Sequence, residues 1–179
     1  MRRTVSRILV SLLALIILIL AITYLDGRAL PVNHVTTVTG TIPAPPAKVF
    51  ALIANVAAAP TWRPAVKSVQ VLPPVYGPQT NLDHWTEDLG HGQTMTFLAV
   101  RSEPSTRRDV LLDVPGASYG GTWTYELSPG PTPNTTTLKI TESGFINPPM
   151  YRFMMQHIFG MTHNLDVYMS DLRTEAPKL

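Results

Sequence analysis

"GFINPPMYRFMMQHIFGMTHNLDVYMSDL", Gly144 to Leu172, is the stretch on which the fold turns. At about 100° per residue, Met150, Met154, Ile158, Met161, Leu165, Tyr168 and Leu172 fall on one stripe, with Phe153 and His157 at its edge. Arg152, Gln156, His163 and Ser170 lie opposite. This spacing predicts one long helix from Pro149 to Thr174 that closes the chain. Its apolar face is rich in Met150, Met154, Met155, Met161 and Met169, joined by Tyr151, Phe153, Phe159 and Tyr168. Methionine is unbranched and polarisable, so it adapts to ill-defined neighbours. Such a stripe either packs against a sheet as core or faces a space that receives an apolar guest. One end of a helix can do the first while the other does the second.

Upstream the pattern is that of strands. "AVKSVQVL" (Ala65 to Leu72), "TNLDHWTED" (Thr80 to Asp88), "QTMTFLAVRSE" (Gln93 to Glu103), "RRDVLLDV" (Arg107 to Val114), "GGTWTYELS" (Gly120 to Ser128) and "TTTLKITESGFI" (Thr135 to Ile146) alternate or are β-branched. Their joins, "LGHG", "EPST", "PGAS" and "SPGPTPN", are short turn sequences, which imply antiparallel hairpins. Before them "HVTTVTGTI" (His34 to Ile42) reads as another strand. "PAPPAKVFALIANV" follows as a helix with Pro45 and Pro46 at its start and Val49, Phe50, Ile53 and Val56 on one face. "AAAPTWRP" is a second short helix or turn ended by Pro64. The order predicts an α+β domain whose antiparallel sheet is covered on one face by the last helix.

"ILVSLLALIILILAITYL", Ile8 to Leu25, is an uncharged apolar run long enough to cross a bilayer. It is longer than the apolar part of a usual signal peptide, and "TYLDGRAL" offers no small-x-small cleavage site. Residues 1–30 are therefore expected to be an uncleaved anchor and residues 31–179 the globular domain. Arg2, Arg3 and Arg7 precede the run and predict a cytoplasmic N-terminus, with the domain on the far side of the cell (inner) membrane. Four of the 14 basic residues and one of the 12 acids fall before residue 31, leaving ten bases against eleven acids beyond it. That balance lacks the basic footprint of a nucleic-acid binder. The chain has no cysteine, which excludes disulfides, thiolate metal sites and a cysteine nucleophile.

With order and spacing in place, the residues resemble a known group. "TIPAPPAKVFALIANVAAAPTWRPAVKSVQVL", "YGGTWTYELSP", "LKITESGFINPP" and "YMSDL" resemble the START-like superfamily, also called SRPBCC or Bet v 1-like. The polyketide cyclase/dehydrase and lipid transport members are the most similar. The resemblance runs from Val35 to Arg173 and departs from the group at Asn55 and the Ala-rich run before Trp62. It implies a helix-grip fold, a curved antiparallel sheet around a long C-terminal helix, with a cavity between them for lipids, sterols or polyketides.

Alternation supplies the wall that would face such a cavity. Trp123, Tyr125 and Leu127 share one face, as do Met95, Phe97 and Ala99, and Val110, Leu112 and Val114. Apolar walls with a few polar tips are typical of small-molecule pockets. The expected lining is Phe50, Trp62, Met95, Phe97, Trp123, Tyr125, Met154, His157, Ile158 and Met161. Glu142 is in phase with Leu138 and Ile140, so it either meets a ligand hydroxyl as a polar or acid/base group or reaches solvent near Gly144. His157 is either a ligand contact or general base, or a plain helix-edge histidine. The five histidines show no zinc spacing, "GHG" at 90–92 is a hairpin tip without the helix and lysine of a phosphate loop, and no cofactor is implied.

These readings predict a membrane-anchored domain that binds or carries an apolar small molecule, lipid or isoprenoid-like. The rivals are a polyketide cyclase or dehydratase using Glu142, His157, Tyr125 or Tyr151, and a structural envelope domain with a filled interior. The first partner is the hydrophobic ligand and the second the membrane; the sequence identifies no protein partner.

Overall fold

The computed structural model describes residues 2–75, 82–112 and 116–178. The expected strand start at Thr80 and the expected wall position Val114 lie outside the described residues. The chain divides into two compact units.

The larger unit comprises Asn33–Phe145 and Thr162–Leu179. Its strands are β1 (Asn33–Ile42), β2 (Ser68–Val75), β3 (Leu82–Gly90), β4 (Gln93–Glu103), β5 (Arg107–Leu112), β6 (Tyr119–Pro129) and β7 (Thr136–Ile146). They form one sheet in the order β1-β7-β6-β5-β4-β3-β2. From β2 to β7 each strand lies beside its successor, as short hairpin turns require. The hairpin tip at Gly90, His91 and Gly92 takes positive φ at all three residues, which suits a turn and not a phosphate loop. β1 leaves this meander and joins antiparallel to β7, with Val38 opposite Ile140. The connection from β1 to β2, at opposite edges, runs through α2 (Pro46–Ala54), one 3₁₀ turn (Val56–Ala58) and α3 (Ala59–Trp62). Pro46 opens α2 because its fixed φ suits a first turn and its missing N–H is not needed there.

The core lies on one face of this sheet. Ile42, Ala99, Val110, Tyr125, Leu127, Leu138 and Ile140 point there by alternation and are buried. α2 adds Val49, Phe50 and Ile53, and α3 adds Trp62. α5 (His163–Glu175) covers them with Leu165, Tyr168, Met169 and Leu172, which are between 0% and 6% exposed. Removing each such aliphatic side chain from water contributes about 1.5–3 kcal/mol. Thr136 is also fully buried, and its hydroxyl donates to the Ala44 carbonyl at 2.6 Å.

The smaller unit comprises Met1–Val32 and Ile146–Met161. It holds α1 (Arg2–Ala29), α4 (Pro149–Met154) and a π-turn (Met155–Phe159). The stretch Ser6–Ala29 of α1 is long and apolar enough to cross a membrane. Its last turn meets α4 so closely that a Cβ on Gly27 would collide with the Pro149 carbonyl, so only glycine fits. Arg152 is buried and donates to three carbonyls: Gly27 at 2.8 Å, Ile146 at 2.8 Å and Asn147 at 2.6 Å. A cation on a carbonyl at a helix C-terminus is favoured by the helix dipole.

The closing helix departs from the sequence expectation. It is not continuous from Pro149 to Thr174 but breaks after the π-turn. The Gly160 N–H closes onto the Met155 carbonyl at 2.9 Å, and Gly160 takes φ 91°, where other residues are strained. The apolar spacing carries across this break without registering it. The predicted stripe is therefore two faces: Leu165, Tyr168 and Leu172 in the larger unit, and Met150, Met154, Ile158 and Met161 in the smaller.

Candidate ligand-binding site

The inner face of the sheet is not wholly apolar. Glu87 is two residues from Trp85 on β3 and so shares its inward side; it is 2% exposed. Arg63, which ends α3, donates to Glu87 Oε1 at 2.6 Å, and the Trp85 indole N–H donates to the same oxygen at 3.1 Å. The Arg63 guanidinium lies 5.1 Å from the centre of the Tyr168 ring. Burial works to discharge Arg63, but Glu87 offsets this, and the guanidinium pKa ends above its ordinary value.

Around this pair stands an aromatic box. Tyr168 on α5 meets Trp62 at 5.5 Å, Tyr125 at 5.5 Å and Trp123 at 5.7 Å between ring centres. Burial, the largest cause, pushes Tyr125 well above 10, and the Tyr168 phenol adds to it. Burial raises Tyr168 as well, against the opposing charge of Arg63. Both phenols are thus neutral donors. On the same helix, burial raises the Asp171 carboxyl, opposed by Arg63.

Further along the face, Arg108 on β5 is 1% exposed. It donates to Asp83 at 2.7 Å and to the Ser102 hydroxyl at 3.2 Å, and lies 5.8 Å from the Trp85 ring centre. Three buried polar atoms of this region, Trp62 Nε1, Glu87 Oε2 and Arg108 Nε, have no hydrogen-bond partner among the described residues. Unsatisfied groups of this kind cost about 1–3 kcal/mol each, so a core built for stability alone selects against them.

Of the residues expected to line a cavity, Phe50, Trp62, Phe97, Trp123 and Tyr125 belong to one contiguous cluster, with Phe97 stacked on Trp85 at 5.4 Å. Met95 is half-buried on β4 beside Glu87. Met154, His157, Ile158 and Met161 lie in the other unit. There His157 is exposed and contacts Asp26 Oδ2 at 2.8 Å, and Ile158 is 64% exposed. Glu142 is half-buried, 3.7 Å from His34 Nε2; His34 Nδ1 and Thr36 Oγ1 near it on the β1 side are buried with no partner among the described residues. An open depression of about 460 Å³ lies at this end of β1 and β7, lined by Asn33, His34, Val35, Ser143, Gly144 and Phe145.

Arg63, Glu87 and Arg108 escaped the sequence reading, though a signal existed for the last two. Alternation from Trp85 places Glu87 inward, and alternation from Val110 places Arg108 inward, by the argument that singled out Glu142.

Residues 33–161 match the family described as polyketide cyclase / dehydrase and lipid transport. Among solved structures, the chain is similar to a START superfamily protein from Mycobacterium smegmatis at 16% identity and TM-score 0.62, covering 81% of this chain and 98% of that one. It is similar to the Zhui aromatase/cyclase from Streptomyces sp. R1128 at 15% identity and TM-score 0.63, covering 82% and 94%. Norcoclaurine synthase from Thalictrum flavum, solved with dopamine and hydroxybenzaldehyde, aligns at 10% identity and TM-score 0.61, covering 86% and 91%. At these identities the likeness establishes the fold. No curated protein matches the sequence.

Proposed function

The chain belongs to the polyketide cyclase/dehydrase and lipid transport family, and on that premise we propose that its globular part binds an apolar small molecule with a polar end, of lipid or isoprenoid type. The observation that carries this reading is that Glu87 Oε2 and Trp62 Nε1, at the aromatic box, are buried with no partner among the described residues. A ligand hydroxyl would satisfy both, donating to Glu87 Oε2 and accepting from Trp62 Nε1, while Trp123, Tyr125 and Phe97 would receive its apolar body. Burial of a few hundred Å² at about 25 cal/mol per Å² supports micromolar binding once association entropy is subtracted. In this reading residues 1–30 anchor the chain in the cell (inner) membrane with the N-terminus cytoplasmic, and residues 31–179 form the binding domain.

Native mass spectrometry of the detergent-purified full-length protein, followed by extraction of what it carries, tests this. The expected result is a bound lipid-sized mass that Trp62→Phe with Glu87→Gln removes. A protein that stays bare after incubation with a lipid extract would overturn it.

A cyclase or dehydratase is the second reading, favoured by one observation: two neutral phenols, a guanidinium and a buried carboxylate are gathered within one box. Turnover of a polyketide-like substrate that is lost in Tyr125→Phe would support it over plain binding.

A further inference from the structure

We propose that the π-turn of the smaller unit, through Ile158 and Phe159, is a second membrane contact that dips into the bilayer interface beside α1. The inference rests on the anchor reading of α1. The uncharged run from Ile8 to Leu25 rises about 27 Å as a helix, which matches a hydrocarbon core of about 30 Å. Asp26 is the first charged residue after that run, so it marks where the chain leaves the hydrocarbon. Tyr24 and Arg28, both exposed, stand on either side of it, as is usual at a headgroup boundary.

The π-turn is tied to this boundary. His157 Nε2 lies 2.8 Å from Asp26 Oδ2, and Arg152 holds the Gly27 carbonyl from the same segment. Ile158 and Phe159 follow His157 directly, so their Cα atoms lie within about 4–8 Å of it. They are 64% and 47% exposed. Adjacent large apolar side chains exposed to this extent are at home at a lipid interface. The occupant of this patch is therefore the leaflet that α1 enters, not a protein or a free ligand.

The chain lacks cysteine, so single labels are clean. Full-length Phe159→Cys, Ile158→Cys and, as an anchor control, Ile16→Cys would each carry an environment-sensitive fluorophore in phosphatidylcholine/phosphatidylglycerol vesicles. Each would be read with quencher lipids labelled near the headgroup or near the methyl end of the acyl chain. The expected result is deep quenching at residue 16 and headgroup-level quenching with a blue shift at 158 and 159. Deep quenching at 16 with water-like, unquenched emission at both 158 and 159 would overturn the inference and leave the anchor standing. Absence of quenching at 16 would overturn the anchor, and the inference with it. Circular dichroism of each labelled protein confirms that it is folded.

Discussion

The Arg63–Glu87 pair separates stability from binding, and its removal can be sized from the geometry. Glu87 is almost wholly buried, while the Arg63 side chain keeps 21% of its exposure. Glu87→Ala leaves the Trp85 N–H without an acceptor in the core, a cost of about 1–3 kcal/mol. It also strands Arg63, but partial solvation holds that penalty below the roughly 3–5 kcal/mol of a fully buried broken pair. The sum is about 3 kcal/mol, which lowers the melting temperature by about 6–12 °C in a domain of this size. Urea unfolding of the full-length protein in detergent, with far-UV and tryptophan signals compared, is the assay. The double change Arg63→Met with Glu87→Met removes both charges and fills similar volume, so it should cost less than Glu87→Ala alone. It should nevertheless abolish ligand uptake, because the Glu87 carboxylate is gone. A Glu87→Ala loss under about 1 kcal/mol, the worth of a surface pair, would refute the claim that this carboxylate is desolvated.

Tyr125 and Tyr168 have folded pKa values above 10, the value of a free phenol. Their contribution is therefore fully present below pH 10 and is lost as pH rises from there toward the folded values. Spectroscopic titration should show tyrosinate from these two only together with unfolding, and Tyr125→Phe should remove part of that late absorbance. Gly160→Ala should cost about 1–3 kcal/mol in thermal stability because φ 91° strains any side chain. A neutral result there would mean that the break in the closing helix is not fixed by this glycine. Arg152→Met removes three hydrogen bonds to carbonyls, each charge-assisted bond being worth about 1.5–3 kcal/mol. Limited proteolysis should then cut between residues 146 and 161 much faster than in the wild type.

The sheet was legible in the sequence because alternation is a local property. Trp123, Tyr125 and Leu127, or Leu138 and Ile140, state their inward side within five residues, and short turns dictate antiparallel neighbours. The apolar run of α1 and the proline-led start of α2 were equally plain. The break at Gly160 was not, because the apolar spacing continues across it and one glycine in a helical pattern is usually tolerated. Nor does periodicity reveal the Asp26–His157 and Gly27–Arg152 contacts, which join residues more than 120 positions apart. The candidate site was half legible. Its aromatics were found by looking for apolar residues; its charges were missed because acidic and basic residues in strands read as the outer face, unless alternation is followed through them. Arg63 gave no pattern at all, since it ends a four-residue helix.

Whether the interior admits a guest is tested most directly by tryptophan emission. Trp62, Trp85 and Trp123 are the chain's three tryptophans, and all belong to or pack on the core cluster, none to α1. Bromine-labelled fatty acid titrated into the full-length protein should quench them saturably at one equivalent, and an unlabelled acyl lipid should reverse the effect. Emission that stays unchanged at saturating bromolipid, with the fold intact, would contradict a ligand-binding interior.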